Sequence, residues 1–145
     1  MSPVEKIQEE IVREFGLLDG DPEMTVLYIM ELGMKLPAYP EQYRTDDYLV
    51  KGCQSKVWMR AHREGDQIFF DVDSNTAITK GLASLLVRIY SGQSAGAIIE
   101  SDLTFMSAIH MDRYIGTQRS NGFAAMVRQM KYYALALKAN TPVNP

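Results

Sequence analysis

Val50-Lys51-Gly52-Cys53-Gln54-Ser55-Lys56-Val57-Trp58 carries the one cysteine and the one tryptophan of a 145-residue chain. A glycine stands directly before the cysteine, and the residues after Ser55 alternate in character. Glycine reaches backbone angles closed to other residues, and the tip of a turn presents a side chain to a partner. The stretch therefore reads as a turn, Gly52 to Ser55, that holds Cys53 at its tip and joins a short strand, Tyr48 to Lys51, to a longer one.

The longer strand, Lys56 to Arg63, places Val57, Met59 and Ala61 on one face and Lys56, Trp58, Arg60 and His62 on the other. Glu64-Gly65-Asp66 is a hairpin turn, and Gln67 to Asp73 alternates again with Ile68, Phe70 and Val72 inward. Three antiparallel strands in a meander follow, with the second face mostly polar and open to water. Asp73 or Ser74 then caps a long helix whose apolar stripe is Ile78, Leu82, Leu85, Leu86 and Ile89. Gly81 inside that helix costs about 1 kcal/mol relative to alanine. A close backbone approach there, by a neighbouring loop, is the expected compensation.

Upstream, Ser2, Pro3 and Glu5 mark a helix start, with Val4, Ile7, Ile11 and Phe15 at helical spacing and Gly16 as the stop. Asp21 and Pro22 start a second helix that runs through Met24, Leu27 and Tyr28 to Gly33. The two are expected as an antiparallel pair. Pro37 and Pro40 then forbid a regular helix and predict an irregular connection. Downstream, Ser94 to Ser101 reads as a short helix and Asp102 to Ile115 as short helical turns. A last helix starts near Ser120, with Phe123, Met126, Val127, Met130, Ala134 and Leu137 inward. The chain reads as one α+β domain over residues 1–140, with a frayed tail over 141–145.

Net charge is −3 and the pI about 5.4, which argues against nucleic acid as the main partner. No apolar run reaches the length of a membrane span, and the first residues lack the basic-then-apolar pattern of a signal peptide. A cytoplasmic protein is expected. One cysteine excludes an internal disulfide and a multi-cysteine zinc site, and His62 and His110 cannot make up the deficit alone.

A lone cysteine is often a small buried hydrophobe, but Cys53 lies in a turn, outside any apolar stripe. Lys51 and Lys56 are close enough in sequence to favour its thiolate. Three chemistries fit. A cysteine hydrolase needs a histidine base; His62 falls at the far end of the following strand, which leaves His110. A thiol that takes up sulfur and passes it on needs neither a resolving cysteine nor a cofactor, since a thiolate attacks a sulfur–sulfur bond directly. A non-catalytic binding module with an inert cysteine is the third. Trp58 shields the turn or is a strand residue under a helix. Gln54 and Ser55 donate to a sulfur anion or shape the turn.

Gly52-Cys53-Gln54-Ser55-Lys56-Val57-Trp58 resembles the motif of the SufE family, the sulfur acceptors that partner cysteine desulfurases in iron–sulfur cluster assembly. Leu27 to Gly33 with Leu36-Pro37, Asp73-Ser74 with Ala77 to Leu82, and Arg119-Ser120-Asn121-Gly122-Phe123 resemble further blocks of the family, in its order. Tyr114 to Gln118 departs from it, standing where relatives often have a histidine and a Ser-Pro pair. The resemblance implies the fold shared by SufE and the IscU- and NifU-type scaffolds: a small three-stranded antiparallel sheet packed with helices, two of them N-terminal and a long one C-terminal. It implies that Cys53 takes sulfane sulfur from a desulfurase persulfide, stimulates that enzyme, and passes the sulfur toward an iron–sulfur scaffold. Arg119 would stabilise the sulfur anion or hold the loop. Pyridoxal phosphate would belong to the desulfurase and no cofactor to this chain, which would be a monomer or weak homodimer. A persulfide lost easily to small thiols implies a Cys53 sheltered beneath its own loop until a partner draws it out.

Overall fold

The computed structural model describes residues 1–139; the tail expected over 141–145 lies outside them. The order of elements is α1 (Pro3–Gly16), α2 (Pro22–Met34), β1 (Val57–Glu64), β2 (Gln67–Ser74), α3 (Ala77–Tyr90), β3 (Gln93–Ser94), α4 (Ala95–Glu100), α5 (Phe105–Ala108) and α6 (Asp112–Ala139). The fold is α+β, with a three-stranded antiparallel sheet in the order β1-β2-β3 and helices packed against it.

Helix starts follow local chemistry. Ser2 Oγ accepts from the Glu5 amide at 3.1 Å, Asp21 Oδ1 from Met24 at 3.0 Å and Ser94 Oγ from Ala97 at 3.1 Å, each satisfying an amide the first turn leaves bare. Neither Asp73 nor Ser74 caps α3. β2 continues to Ser74, and Thr76 takes the cap position without a side-chain hydrogen bond. The last helix does not begin at Ser120. It begins at Asp112, breaks at Gly116 (φ 83°, ψ 170°), and Ser120 Oγ donates back to the Gly116 carbonyl at 2.9 Å.

The meander is replaced by a different sheet. β1 and β2 form the expected hairpin, in register from Val57–Ser74 to Glu64–Gln67. Tyr48 to Lys51 contributes one bridge, Leu49 to Trp58, and the third strand is the two-residue β3 on the far side of β2. Two turns of tight helix, Glu41–Tyr43 and Asp46–Tyr48, leave the segment before Cys53 too curved to pair at length. The second face of the hairpin is polar and meets water in part, with the proline-broken connection laid over some of it. Arg44 lies 5.0 Å from the Trp58 ring and 5.3 Å from Tyr39, and Arg60 lies 4.2 Å from Tyr43. Both arginines pair with strand carboxylates, Arg44 with Asp73 at 2.6 Å and Arg60 with Asp71 at 3.1 Å. The proline-broken connection thus covers Trp58 through stacked cations, where a helix was the expected cover.

α3 is buried on nearly every side. The sheet and α6 pack on it, and so does α2, whose buried face is Thr25, Ile29 and Gly33 in place of Met24 and Leu27. Backbone meets backbone there. A Cβ on Gly81 would lie 2.0 Å from the Ile29 carbonyl oxygen, and one on Gly33 2.7 Å from the Gly81 nitrogen. The close approach at Gly81 is real, and a helix makes it. α1 meets α2 mainly at its end, where Phe15 packs edge-on against Tyr28 at 5.3 Å. Glu14 there accepts from Tyr28 at 2.8 Å and from Arg88 of α3, tying three helices at one carboxylate. Gln8, buried on α1, donates to the Asp102 carbonyl and accepts from the Thr104 and Phe105 amides, which fixes the connection between α4 and α5.

Gly81→Ala is expected to lower stability by about 1–3 kcal/mol or more, because overpacking at a rigid backbone outweighs the better helix propensity. Gly16→Ala, with nothing within 4 Å of its Cβ, is the control. Urea unfolding of both checks this, and a Gly81→Ala midpoint equal to that of the parent would refute the account of the α2–α3 contact.

Candidate functional site

The Cys53 loop is bolted on its far side and light at its tip. Val50 N–H donates to the Val57 carbonyl at 2.8 Å, closing the loop. Beyond Cys53, Lys56 N–H donates to Asn75 Oδ1 at 3.0 Å, and the Lys56 carbonyl accepts from Ser74 Oγ at 2.8 Å. Ser55 Oγ lies 2.9 Å from Thr76 Oγ1 and accepts from Thr79 Oγ1 at 3.3 Å. Ser55 therefore anchors the turn to the start of α3. Residues 51–54 make, among the described residues, one hydrogen bond: the Cys53 thiol donates to the Gly122 carbonyl at 3.4 Å.

Gly52 is required by its backbone. Its φ of +95° is open to glycine, and a Cβ would stand 3.2 Å from Ala125 Cβ. The loop tip thus lies across α6, with Gly52 on Ala125 and Cys53 on Gly122. The thiol is half-buried. Burial pushes its pKa up, and the Arg128 guanidinium pulls against that shift. A carbonyl can accept from a thiol and has nothing to offer a thiolate, so the closed loop holds the protonated form.

A cavity of about 370 Å³ opens beside the thiol. Ser55 and Thr79 line it on the α3 side, and Gly116, Arg119 and Gly122 line it on the α6 side. Arg119 is exposed and donates from Nη1 to the Ile115 carbonyl at 3.1 Å, which sets its stem along the cavity wall. Cys53 and Arg119, the two residues singled out from sequence, therefore border one space. His110 does not. It sits at φ 54° between α5 and α6, where its amide donates to the Ser107 carbonyl, and it does not line the cavity. His62 pairs with Glu64 at 2.8 Å at the far end of β1. The thiol has no imidazole to give its proton to.

Sequence reasoning looked to Lys51 and Lys56 for the cation acting on Cys53; Arg128 is the one that acts. It also missed Thr79, Gly122 and Ala125. Arg119, Gly122, Ala125 and Arg128 stand at three-residue spacing along α6, two small residues between two arginines.

Among known proteins, the family model described as SufE: Fe-S metabolism associated domain matches residues 9–134. A SufE-like protein of Rhizobium meliloti is 34% identical over 128 residues, covering 85% of this chain and 91% of the relative. The Arabidopsis thaliana SufE-like protein 1, named chloroplastic/mitochondrial, is 30% identical over 142 residues, which cover 95% of this chain and 38% of that longer protein. The solution structure of a hypothetical protein from Thermus thermophilus superposes with a TM-score of 0.74 at 19% identity, over 90% of this chain and 94% of the other, a likeness of fold. With a family match across most of its length and relatives sharing about a third of their residues, the chain belongs to the SufE family.

Proposed function

We propose that this protein accepts sulfane sulfur on Cys53 from the persulfide of a cysteine desulfurase and carries it to an iron–sulfur scaffold. The observation that carries the reading is the thiol itself: the chain's single cysteine, half-buried on a loop tip with one hydrogen bond, beside a cavity. Membership of a family associated with iron–sulfur metabolism supports it.

The chemistry is a thiol–disulfide type exchange. Cys53 first loses its proton to solvent. Its thiolate attacks the terminal sulfur of the donor persulfide, one sulfur–sulfur bond forms and one breaks, and the donor cysteine leaves as thiolate. Atoms and electrons balance without an external oxidant or reductant. Removing the persulfide frees the desulfurase for another turnover, which is how the acceptor stimulates it. Pyridoxal phosphate serves the desulfurase, and no step on this chain calls for a cofactor.

A persulfide places its outer sulfur about 2.05 Å beyond Sγ, and the cavity has room for it. Arg119 lines that cavity with most of its N–H donors uncommitted by the bond to Ile115, which suits a role in stabilising the sulfur anion. Delivery requires residues 51–54 to leave α6, and the single thiol–carbonyl bond makes that inexpensive. Among the described residues no helix is long and apolar enough to cross a membrane. The cytoplasm is the compartment proposed, although the plant relative is named for two organelles.

Incubation with a cysteine desulfurase, pyridoxal phosphate and cysteine is expected to add one reducible sulfur atom, about 32 Da, to the intact protein and none to Cys53→Ala. Absence of that gain with every desulfurase tried would remove the proposed chemistry. Arg119→Ala is expected to slow the gain at least several-fold with the fold intact; unaltered kinetics would exclude Arg119 from the site.

Because burial raises the Cys53 pKa, alkylation of the free protein by iodoacetamide is expected to titrate above the range of an ordinary cysteine, about 8.5. Arg128→Ala should move that midpoint further up, since it removes the cation that favours the thiolate. Gly52→Ala strains the closed loop by about 1–3 kcal/mol and should raise the alkylation rate at fixed pH. A midpoint at or below the free-cysteine value, or a slower Gly52→Ala, would contradict the closed-loop account.

A further inference from the structure

The polar side chains lining the cavity beside Cys53 can all donate a hydrogen bond: the hydroxyls of Ser55, Thr79 and Thr117, the amides of Gln54 and Gln118, and Arg119. No carboxylate lines it. Such a space suits an anion. The empty thiol does not use it. Cys53 donates the other way, to the Gly122 carbonyl at 3.4 Å, and a Cβ on Gly122 would stand 3.6 Å from the sulfur. α6 therefore closes that side against a second sulfur, which would lie about 2.05 Å beyond the first. Once loaded, the outer sulfur gives up its proton more readily than a thiol does, because the sulfur–sulfur bond weakens the S–H bond. As an anion it has no proton to offer the Gly122 carbonyl, whose oxygen repels it. The cavity is the side left open to it.

Among these donors Thr79 is the one fixed in place. Gln54, Thr117, Gln118 and Arg119 are exposed, whereas Thr79 is 7% exposed in the first turn of α3, the helix that α2 holds by backbone contact. Its hydroxyl is under-used. The one hydrogen bond its side chain makes among the described residues runs to Ser55 Oγ at 3.3 Å, where an ordinary O–H···O bond spans about 2.7–2.8 Å. Ser55 does not depend on it, being held by Thr76 at 2.9 Å. A buried hydroxyl in a long bond gains by turning to an anion, where its hydrogen bond is charge-assisted, and the first turn of a helix favours negative charge. We propose that Thr79 donates its hydroxyl hydrogen bond to the outer sulfur of a Cys53 persulfide, so that loading turns the site from a thiol facing a carbonyl into an anion held by a donor. The inference rests on the sulfur-acceptor reading and adds to it the residue that holds the cargo.

The test loads the full chain without a desulfurase. Sodium tetrasulfide supplies the sulfur: the Cys53 thiolate attacks a terminal sulfur, one sulfur–sulfur bond forms, one breaks, and a trisulfide dianion leaves. Intact mass confirms one added sulfur. Alkylation by iodoacetamide is then followed against pH in the loaded and empty forms of the parent, Thr79→Val and Thr79→Ser. Thr79→Val is expected to raise the midpoint of the loaded form by about one pH unit, the size of one hydrogen bond to a charged group, and to leave that of the empty form in place. Thr79→Ser, which keeps the hydroxyl, should restore the parent midpoint. Equal shifts in loaded and empty forms would reduce Thr79 to a prop of the loop, and no shift in either would remove it from the site; both overturn the proposal and leave sulfur acceptance standing. A parent chain that tetrasulfide cannot load would deny the cavity its cargo and overturn the proposal as well. A shift confined to the loaded form, in a chain that gains no sulfur from any cysteine desulfurase, would support Thr79 as the donor while removing the acceptor reading.

Discussion

The contact of α2 with α3 through Gly33 and Gly81 sets the position of everything around Cys53. Two helix backbones in contact leave no side chain between them to adjust, so α3 is held at a fixed depth. α3 starts with Thr76 and carries Thr79 one turn on, and these are the residues that hold Ser55. The other wall is α6, which also packs on α3. A shift of α3 away from the sheet would therefore move the anchor of the loop and widen the cavity together. The carboxylate of Glu14, shared by Tyr28 and Arg88, closes the same three-helix junction from the far end.

Much of this was legible in the sequence, for identifiable reasons. Ser2 and Asp21 cap helices because their side chains complete a first turn locally, without needing the rest of the fold. The hairpin around Gly65 and the glycine before Cys53 are likewise local demands on backbone angle. The interior glycine of α3 announced a close approach because its cost in helix propensity needs a return. What was not legible depends on distant partners. Nothing local says that Gln8 is buried, since its amide is satisfied by backbone groups over 90 residues away. Nothing local says that Arg44 covers Trp58, or that the third strand comes from Gln93 and Ser94 in place of Tyr48 to Lys51. At the site, Cys53 and Arg119 were found through motif blocks, whereas Arg128 was missed because the nearest charges in sequence, Lys51 and Lys56, drew attention first.

Under the proposed carrier role, the thiol's surroundings reconcile two opposed needs. Such a carrier would have to keep a bound sulfur from small thiols, yet surrender it to a protein. Deep burial would meet the first need and defeat the second. Here the bolts lie at Ser55, Lys56 and the Val50–Val57 pair, outside the tip, so the tip can open without disturbing the strand that follows. Gly52 serves as the pivot, and its positive φ is compatible with the closed form and with many open ones.

Magnitudes place limits on how tightly the loop can shut. The thiol–carbonyl hydrogen bond contributes about 0.5–1.5 kcal/mol net, and sulfur is a weak donor, so the lower end applies. Half-burying a side chain as small as cysteine adds about 1 kcal/mol. Closure therefore gains about 1–2 kcal/mol, opposed in part by the ordering of residues 51–54. At about 1.4 kcal/mol per factor of ten, that gain less the ordering cost leaves the open form populated at several per cent or more without any partner. Shelter by the loop alone is then a reduction of reactivity by at most about one order of magnitude. The remainder of the control falls to the encounter: a partner that binds the open loop needs only that same small free energy to draw it out.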